Sequence, residues 1–156
     1  KDIIITAPAE ASVHLGATLG DKFSIIVGRD KWIPQMRELV NRYGLLSKLA
    51  SFRSIGLGVL DFHKNEEKTK NKIRAEIAKA IERDRAEVII LGCTMQFGFF
   101  QDLQNEFGVP VIDSMLAAMK YAEYLLEVKQ KTGWHISRRA KYERPPTQEM
   151  ISWGLI

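Results

Sequence analysis

Val88-Ile89-Ile90-Leu91, followed at once by Gly92-Cys93-Thr94, limits the fold more than any other stretch of the sequence. Four consecutive apolar residues, entered from a charged segment and stopped by glycine, predict a strand buried on both faces, which belongs in a parallel sheet covered by helices. Beyond the cysteine, Phe99, Phe100, Leu103 and Phe107 recur at helical spacing before Gly108, predicting a helix over 97–107. Cys93 is therefore expected where a strand turns directly into a helix. The unsatisfied N–H groups and positive dipole end of such a helix favour the thiolate, the reactive form of the side chain. Gly92 lets the backbone come close to a ligand, and the Thr94 hydroxyl can donate to a substrate oxygen or cap the helix. The same position also suits an inert buried thiol at the end of a core strand, and position alone does not choose between the two.

The remaining pattern alternates strands and helices. Ile3-Ile4-Ile5 predicts a short buried parallel strand, and Pro8 opens a helix that runs to Leu19. Phe23 to Val27 predicts a second strand ended by Gly28. Asp30 is expected to cap the next helix, whose stripe of Ile33, Met36, Leu39, Val40 and Tyr43 reads as core packing. A third strand is expected over 52–59, interrupted by Gly56 and Gly58, and a charged helix over 65–84 with Ile73, Ile77 and Ile81 on one face. Val109 to Ile112 predicts a short edge strand, Asp113 an N-cap, and the helix after it runs to about residue 131 with a broad apolar face that includes Leu116, Met119, Leu125 and Leu126. Such alternation implies βαβ units and a three-layer α/β sandwich with a mainly parallel sheet.

Several polar residues fall near predicted strand ends, each with an ordinary structural explanation. Glu10 suits the first turn of its helix, His14 suits a structural helical position, and Arg29 suits a surface ion pair. Asp61 and His63 lie close together but have no third partner at metal-ligand spacing, so no metal site is expected. No strand is followed by a dinucleotide-binding or phosphate-binding glycine pattern, so nucleotide dependence is not expected.

With 156 residues, 46% hydrophobic and 27% charged, the chain can bury a core without a disulfide or a metal. Its one cysteine excludes an internal disulfide framework and suits a reducing cytoplasm. The formal charge of +4 is spread along helices, apart from Arg138, Arg139, Lys141 and Arg144, so neither a nucleic-acid partner nor a membrane surface is expected. No run reaches the ~18 apolar residues of a membrane span.

Ile90-Leu91-Gly92-Cys93-Thr94, followed by Gly108-Val109-Pro110-Val111-Ile112-Asp113 and an alanine-rich helix, resembles the second half of the aspartate/glutamate/hydantoin racemase superfamily. The likeness runs from Pro8-Ala9-Glu10-Ala11 to the Ser137–Pro146 tail and is nearest to the hydantoin racemase-like branch. It implies one lobe of a two-lobed fold, with residues 1–130 as the lobe and 131–156 as a tail returning toward a first lobe that lies before Lys1. It also implies a small-molecule substrate and leaves homo-oligomerisation open.

The chemistry implied is cofactor-independent racemisation, in which a proton leaves one face of a carbon beside a carbonyl and another arrives on the opposite face. The resemblance assigns Cys93 to one face and a second cysteine, upstream of this chain, to the other. Gly92, Thr94, Met95 and Gln96 are the expected substrate-binding residues. Met95 and Gln96 stand where family members acting on amino dicarboxylates carry histidine or glutamate, which points to a hydantoin-type or allantoin-type substrate. With one cysteine the chain alone is expected to be inactive. Two alternatives remain: a single-cysteine enzyme resembling arylmalonate decarboxylase or maleate isomerase, and a non-catalytic α/β module that binds a small ligand or a protein.

Overall fold

The computed structural model describes residues 3–156. Its elements run α1 (Pro8–Leu19), β1 (Phe23–Val27), α2 (Ile33–Arg42), β2 (Leu49–Ser54), α3 (Glu66–Glu82), β3 (Val88–Leu91), α4 (Phe100–Phe107), β4 (Val111–Asp113), α5 (Ser114–Thr132) and α6 (Thr147–Ser152). The chain divides into two compact units. Of the described residues, 6–122 form one, and 3–5 with 123–156 form the other.

The first unit is built on a four-stranded sheet in the order β2-β1-β3-β4, parallel throughout. Ile25 of β1 sits beside Ile90 of β3, and Leu91 beside Asp113 of β4. The expected burial of β3 on both faces holds, because all four of its side chains are buried. Ile89 and Leu91 join Ile73, Ile77 and Leu103 in a core under α3 and α4, while Val88 and Ile90 join Ala11, Val13, Val40 and Ala117 in a core under α1, α2 and the start of α5. Each Val, Leu or Ile among them contributes about 1.5–3 kcal/mol when taken from water. The α/β three-layer arrangement expected from the alternation is therefore present.

Short-range chemistry sets the element ends. The Asn65 side chain accepts from the Lys68 N–H at 2.9 Å and caps α3. Asp113 caps α5 as expected, its Oδ1 accepting from the Met115 and Leu116 N–H groups at 2.9 and 3.2 Å. Arg53 of β2 reaches Asp84 beyond α3 in a two-pronged ion pair at 2.8 and 2.7 Å, and the guanidinium holds the Asp84 carboxyl below the usual carboxylate range.

Four expectations need correction. Ile3-Ile4-Ile5 is not a strand: it makes no ladder with the sheet, and Ile3 and Ile5 are exposed. A β-branched run favours a pleated, half-buried surface, and without a neighbouring strand that preference has nothing to act on. β2 covers Leu49–Ser54 rather than 52–59, and Gly56, in the left-handed region at φ +65°, marks the turn away from it. Asp30 does not cap α2; it opens a 3₁₀ turn over Asp30–Trp32, and α2 begins at Ile33. Nor does a helix start just after the cysteine. A 3₁₀ turn spans Thr94–Gln96, Gly98 takes φ +83°, and α4 begins at Phe100.

In the second unit, the latter part of α5 presents Leu125 and Val128 to Ile4, Ile5, Trp134 and Ile136 around a cavity of about 280 Å³. Among the described residues, no helix is long and apolar enough to cross a membrane.

Candidate active site

The strand order reverses direction between β1 and β3: one crossover leads outward from β1 to β2, and the next returns past β1 to β3. Ligands in open α/β sheets gather beyond the carboxyl ends of strands at such a reversal. Gly28 follows β1 there and Gly92-Cys93 follows β3. These residues line a cavity of about 270 Å³ walled by Trp32, Met36, Leu39, Leu57, Val59 and Phe62, with Gln35 as a polar contributor. Cys93 is half-buried on its wall.

Gly92 is required by the packing. A Cβ at this position would lie 2.6 Å from Ile25 Cγ2, 3.1 Å from the Ile26 carbonyl oxygen and 3.3 Å from Met36 Cε. Its N–H donates to the Ile26 carbonyl at 2.8 Å, so β1 and β3 stay paired up to the residue before the cysteine. Gly28 is equally confined, since a Cβ there would lie 2.8 Å from the Leu57 carbonyl oxygen.

The turn that carries Cys93 is fastened from three sides. Gln96 Oε1 accepts from the Cys93 N–H at 3.1 Å, the contact that the N3 side chain makes in a capping box, while the Gln96 N–H donates to the Cys93 carbonyl at 2.8 Å and closes the 3₁₀ turn. The Gly98 N–H donates to Asp113 Oδ2 at 3.1 Å, tying the end of the turn to β4. His63, from the loop before α3, lies 2.9 Å from the Met95 carbonyl through Nε2 and 2.9 Å from Glu66 Oε1 through Nδ1.

The expected site residues therefore separate by place. Gly92 and Cys93 line the cavity. Thr94 is half-buried at the start of the 3₁₀ turn, and Met95 packs against the core under α3 and α4. Gln96 is fully buried, and its Nε2 has no hydrogen-bond partner among the described residues. That places Gln96 beneath the turn, acting on the Cys93 backbone. Ile33, Met36, Val40 and Tyr43 pack in the core as the sequence stripe implied, and Met36 and Leu39 also face the cavity.

Of the other polar residues, His14 Nδ1 donates to the Glu10 carbonyl and its ring meets Tyr43 edge-on. Burial, with the Glu10 carboxylate adding to it, raises the Tyr43 phenol above its usual range. Asp61 pairs with Lys64 at 2.8 Å; that hydrogen bond lowers its carboxyl, and the Arg29 charge contributes. A second, polar cavity of about 370 Å³ lies by His63, Glu66, Lys70, Phe97, Phe99 and Asp102, where Lys70 and Asp102 pair with each other. Among the described residues no group of three metal-ligating side chains has the spacing to hold an ion.

Sequence reasoning missed the link from His63 to the turn, because a side chain that bonds a main-chain carbonyl 32 positions away sets no spacing that periodicity could reveal. The Gln96 contact had one: cysteine followed three residues later by glutamine mimics the spacing of a capping box.

Comparison with known proteins places this site in a family. The Asp/Glu/hydantoin racemase family model matches residues 2–122. A hydantoin racemase of Pseudomonas sp. (strain NS671) is 34% identical over 143 residues, covering 92% of this chain and 56% of that protein. A hydantoin racemase of Paenarthrobacter aurescens is 32% identical over 147 residues, covering 94% and 61%. The allantoin racemase of Pseudomonas fluorescens superposes with a TM-score of 0.86 at 28% identity, covering 93% of this chain and 60% of that one, and the allantoin racemase of Klebsiella pneumoniae does so at 0.82 and 28%, covering 90% and 56%. The chain thus spans between half and two thirds of the length of these relatives. A four-stranded parallel sheet with Gly92-Cys93-Thr94 at its point of reversal, and a family match that spans this whole unit, show that the chain belongs to the Asp/Glu/hydantoin racemase family.

Proposed function

We propose that this chain supplies one acid/base of a cofactor-independent racemase that acts on a carbon next to a carbonyl in a hydantoin-type ring. The observation that carries the reading is the position of Cys93, half-buried on the wall of the cavity at the β1/β3 reversal. As thiolate, the sulfur takes the proton from the ring carbon and the electron pair moves onto the adjacent carbonyl oxygen. The N–H groups of Thr94 and Met95 open the 3₁₀ turn and are the donors suited to that developing oxyanion. A second acid delivers a proton to the other face and leaves the opposite enantiomer. Because the chain holds one cysteine, a second thiol in that role comes from outside this sequence.

The wall of the cavity supports an apolar ring substituent, since Trp32, Met36, Leu39, Leu57, Val59 and Phe62 line it and no Lys, Arg or His is among the described residues that do. The relatives' names, hydantoin and allantoin racemase, agree with a neutral cyclic ureide.

The test is to incubate the protein that carries this chain with one enantiomer of a 5-substituted hydantoin in heavy water. Optical rotation should decay as deuterium enters the ring carbon, and Cys93→Ser should slow both by at least ~100-fold, the lower range for loss of a general acid/base. Rotation that decays at the same rate after Cys93→Ser refutes the assignment. The single cysteine also favours a second reading, a one-thiol decarboxylase, which would release carbon dioxide from an arylmalonate and leave the hydantoin enantiomer untouched.

A further inference from the structure

Phe62 and His63 are neighbours that serve opposite sides of the cysteine turn. Phe62 is fully buried, its carbonyl fixed by the Thr69 hydroxyl at 2.8 Å, and its ring walls the cavity that Cys93 lines. His63 turns the other way. Its ring stacks on Phe99 at 5.4 Å and 11° and lies against Phe97 at 4.6 Å, which fixes the plane of the imidazole. A carbonyl oxygen only accepts, so Nε2 donates to Met95 at 2.9 Å.

That bond has a specific use. In the 3₁₀ turn the Cys93 carbonyl is taken by the Gln96 N–H and the Thr94 carbonyl by the Phe97 N–H. Met95 is the next carbonyl in the series, and the N–H that would continue the turn, that of Gly98, donates to Asp113 instead. His63 takes the place of the missing donor. Glu66 also only accepts, so a singly protonated ring satisfies one of its two partners. Glu66 is the more exposed and can swing away, which leaves the Met95 bond in place. The other charged groups around the ring, Glu67, Lys70 and Asp102, line the polar cavity, and Lys70 pairs with Asp102.

We infer that His63 is a positioning residue for the reaction of Cys93, donating from Nε2 to the Met95 carbonyl so that the thiol and the opening N–H groups of the turn keep one geometry. The inference rests on the acid/base reading of Cys93 given above. The side chain that restores the donor without the ring is glutamine, and the side chain that keeps the ring without the donor is phenylalanine.

The experiment compares His63→Gln and His63→Phe by hydrogen exchange over residues 93–98 in this chain, and by kcat and KM for hydantoin racemisation in the protein that carries it. With the donor lost, exchange in the turn should speed up roughly threefold to tenfold, the range expected for one hydrogen bond. In His63→Phe kcat should fall while KM holds, and His63→Gln should recover most of both effects. Should His63→Phe fail to fold, His63→Asn, whose amide is too short to reach Met95, serves as the donor-free variant. Turn exchange and kcat unchanged in the donor-free variant, or His63→Gln no better than it, overturns the inference. If instead the exchange pattern comes out as expected while racemisation survives Cys93→Ser, the hold on the turn stands and the acid/base reading of Cys93 is what fails.

Discussion

Adding one methyl group at Gly92 tests whether the sheet itself sets the position of the cysteine. The new Cβ would sit 2.6 Å from Ile25 Cγ2 and 3.1 Å from the Ile26 carbonyl oxygen. Carbon atoms in contact settle at about 3.5–4.0 Å, so roughly 1 Å of movement is needed, and one of the neighbours is backbone of a buried strand. Overpacking of this kind costs about 1–3 kcal/mol, which for a chain of this size lowers the melting temperature by roughly 2–12 °C. Because β3 ends at Leu91, the strain falls on the residues that deliver Cys93. Chemical denaturation and calorimetry of Gly92→Ala measure the cost, with Gly16→Ala as the control. At Gly16 the nearest atom is the movable end of Ile90 at 3.1 Å, and the ~1 kcal/mol gain in helix propensity offsets it. Ile25→Ala removes Cγ2, so the double variant with Gly92→Ala should lose about 0.5–3 kcal/mol less than the two single losses together. Strict additivity, or Gly92→Ala as stable as Gly16→Ala, would refute the steric argument.

Gln96→Leu leaves the Cys93 N–H without its acceptor and should cost about 1–3 kcal/mol in denaturant unfolding, with alkylation of Cys93 by iodoacetamide changing in rate. Asp84→Asn should cost about 1.5–3 kcal/mol at neutral pH, the usual range for hydrogen bonds to a charged group. Since the fold lowers the Asp84 carboxyl, its contribution is complete above the unfolded value of about 3.9 and is lost as pH falls through the lower folded value. Acid titrations of stability should therefore separate wild type from Asp84→Asn above about pH 4 and bring them together below it. Asn65→Ala removes the cap of α3 and should cost about 1 kcal/mol, readable in the denaturation midpoint.

Where local chemistry and tertiary context agree, the sequence is legible. Val88–Leu91 could be placed because four apolar residues in a row have few soluble alternatives to a doubly covered strand, and Pro8–Leu19 because proline and glycine mark its ends. Ile3-Ile4-Ile5 carries a similar composition but meets no ladder, which only a neighbouring strand can supply. At the site, Gly92 and Cys93 could be read as adjacent to a ligand because a strand end fixes both. The apolar wall could not, because Met36 and Leu39 satisfy the same helical periodicity whether they face a core or a cavity. His63 was out of reach for another reason: a loop residue that bonds a main-chain carbonyl leaves no pattern in the residues around either partner.

The Asp113 carboxylate serves two masters at once, with one oxygen on the first turn of α5 and the other on the Gly98 N–H. A displacement of that helix start would be felt at the loop behind the sulfur, and the reverse. Whatever presses on the beginning of α5 therefore has a short mechanical route to the thiol, through the single side chain at the end of β4.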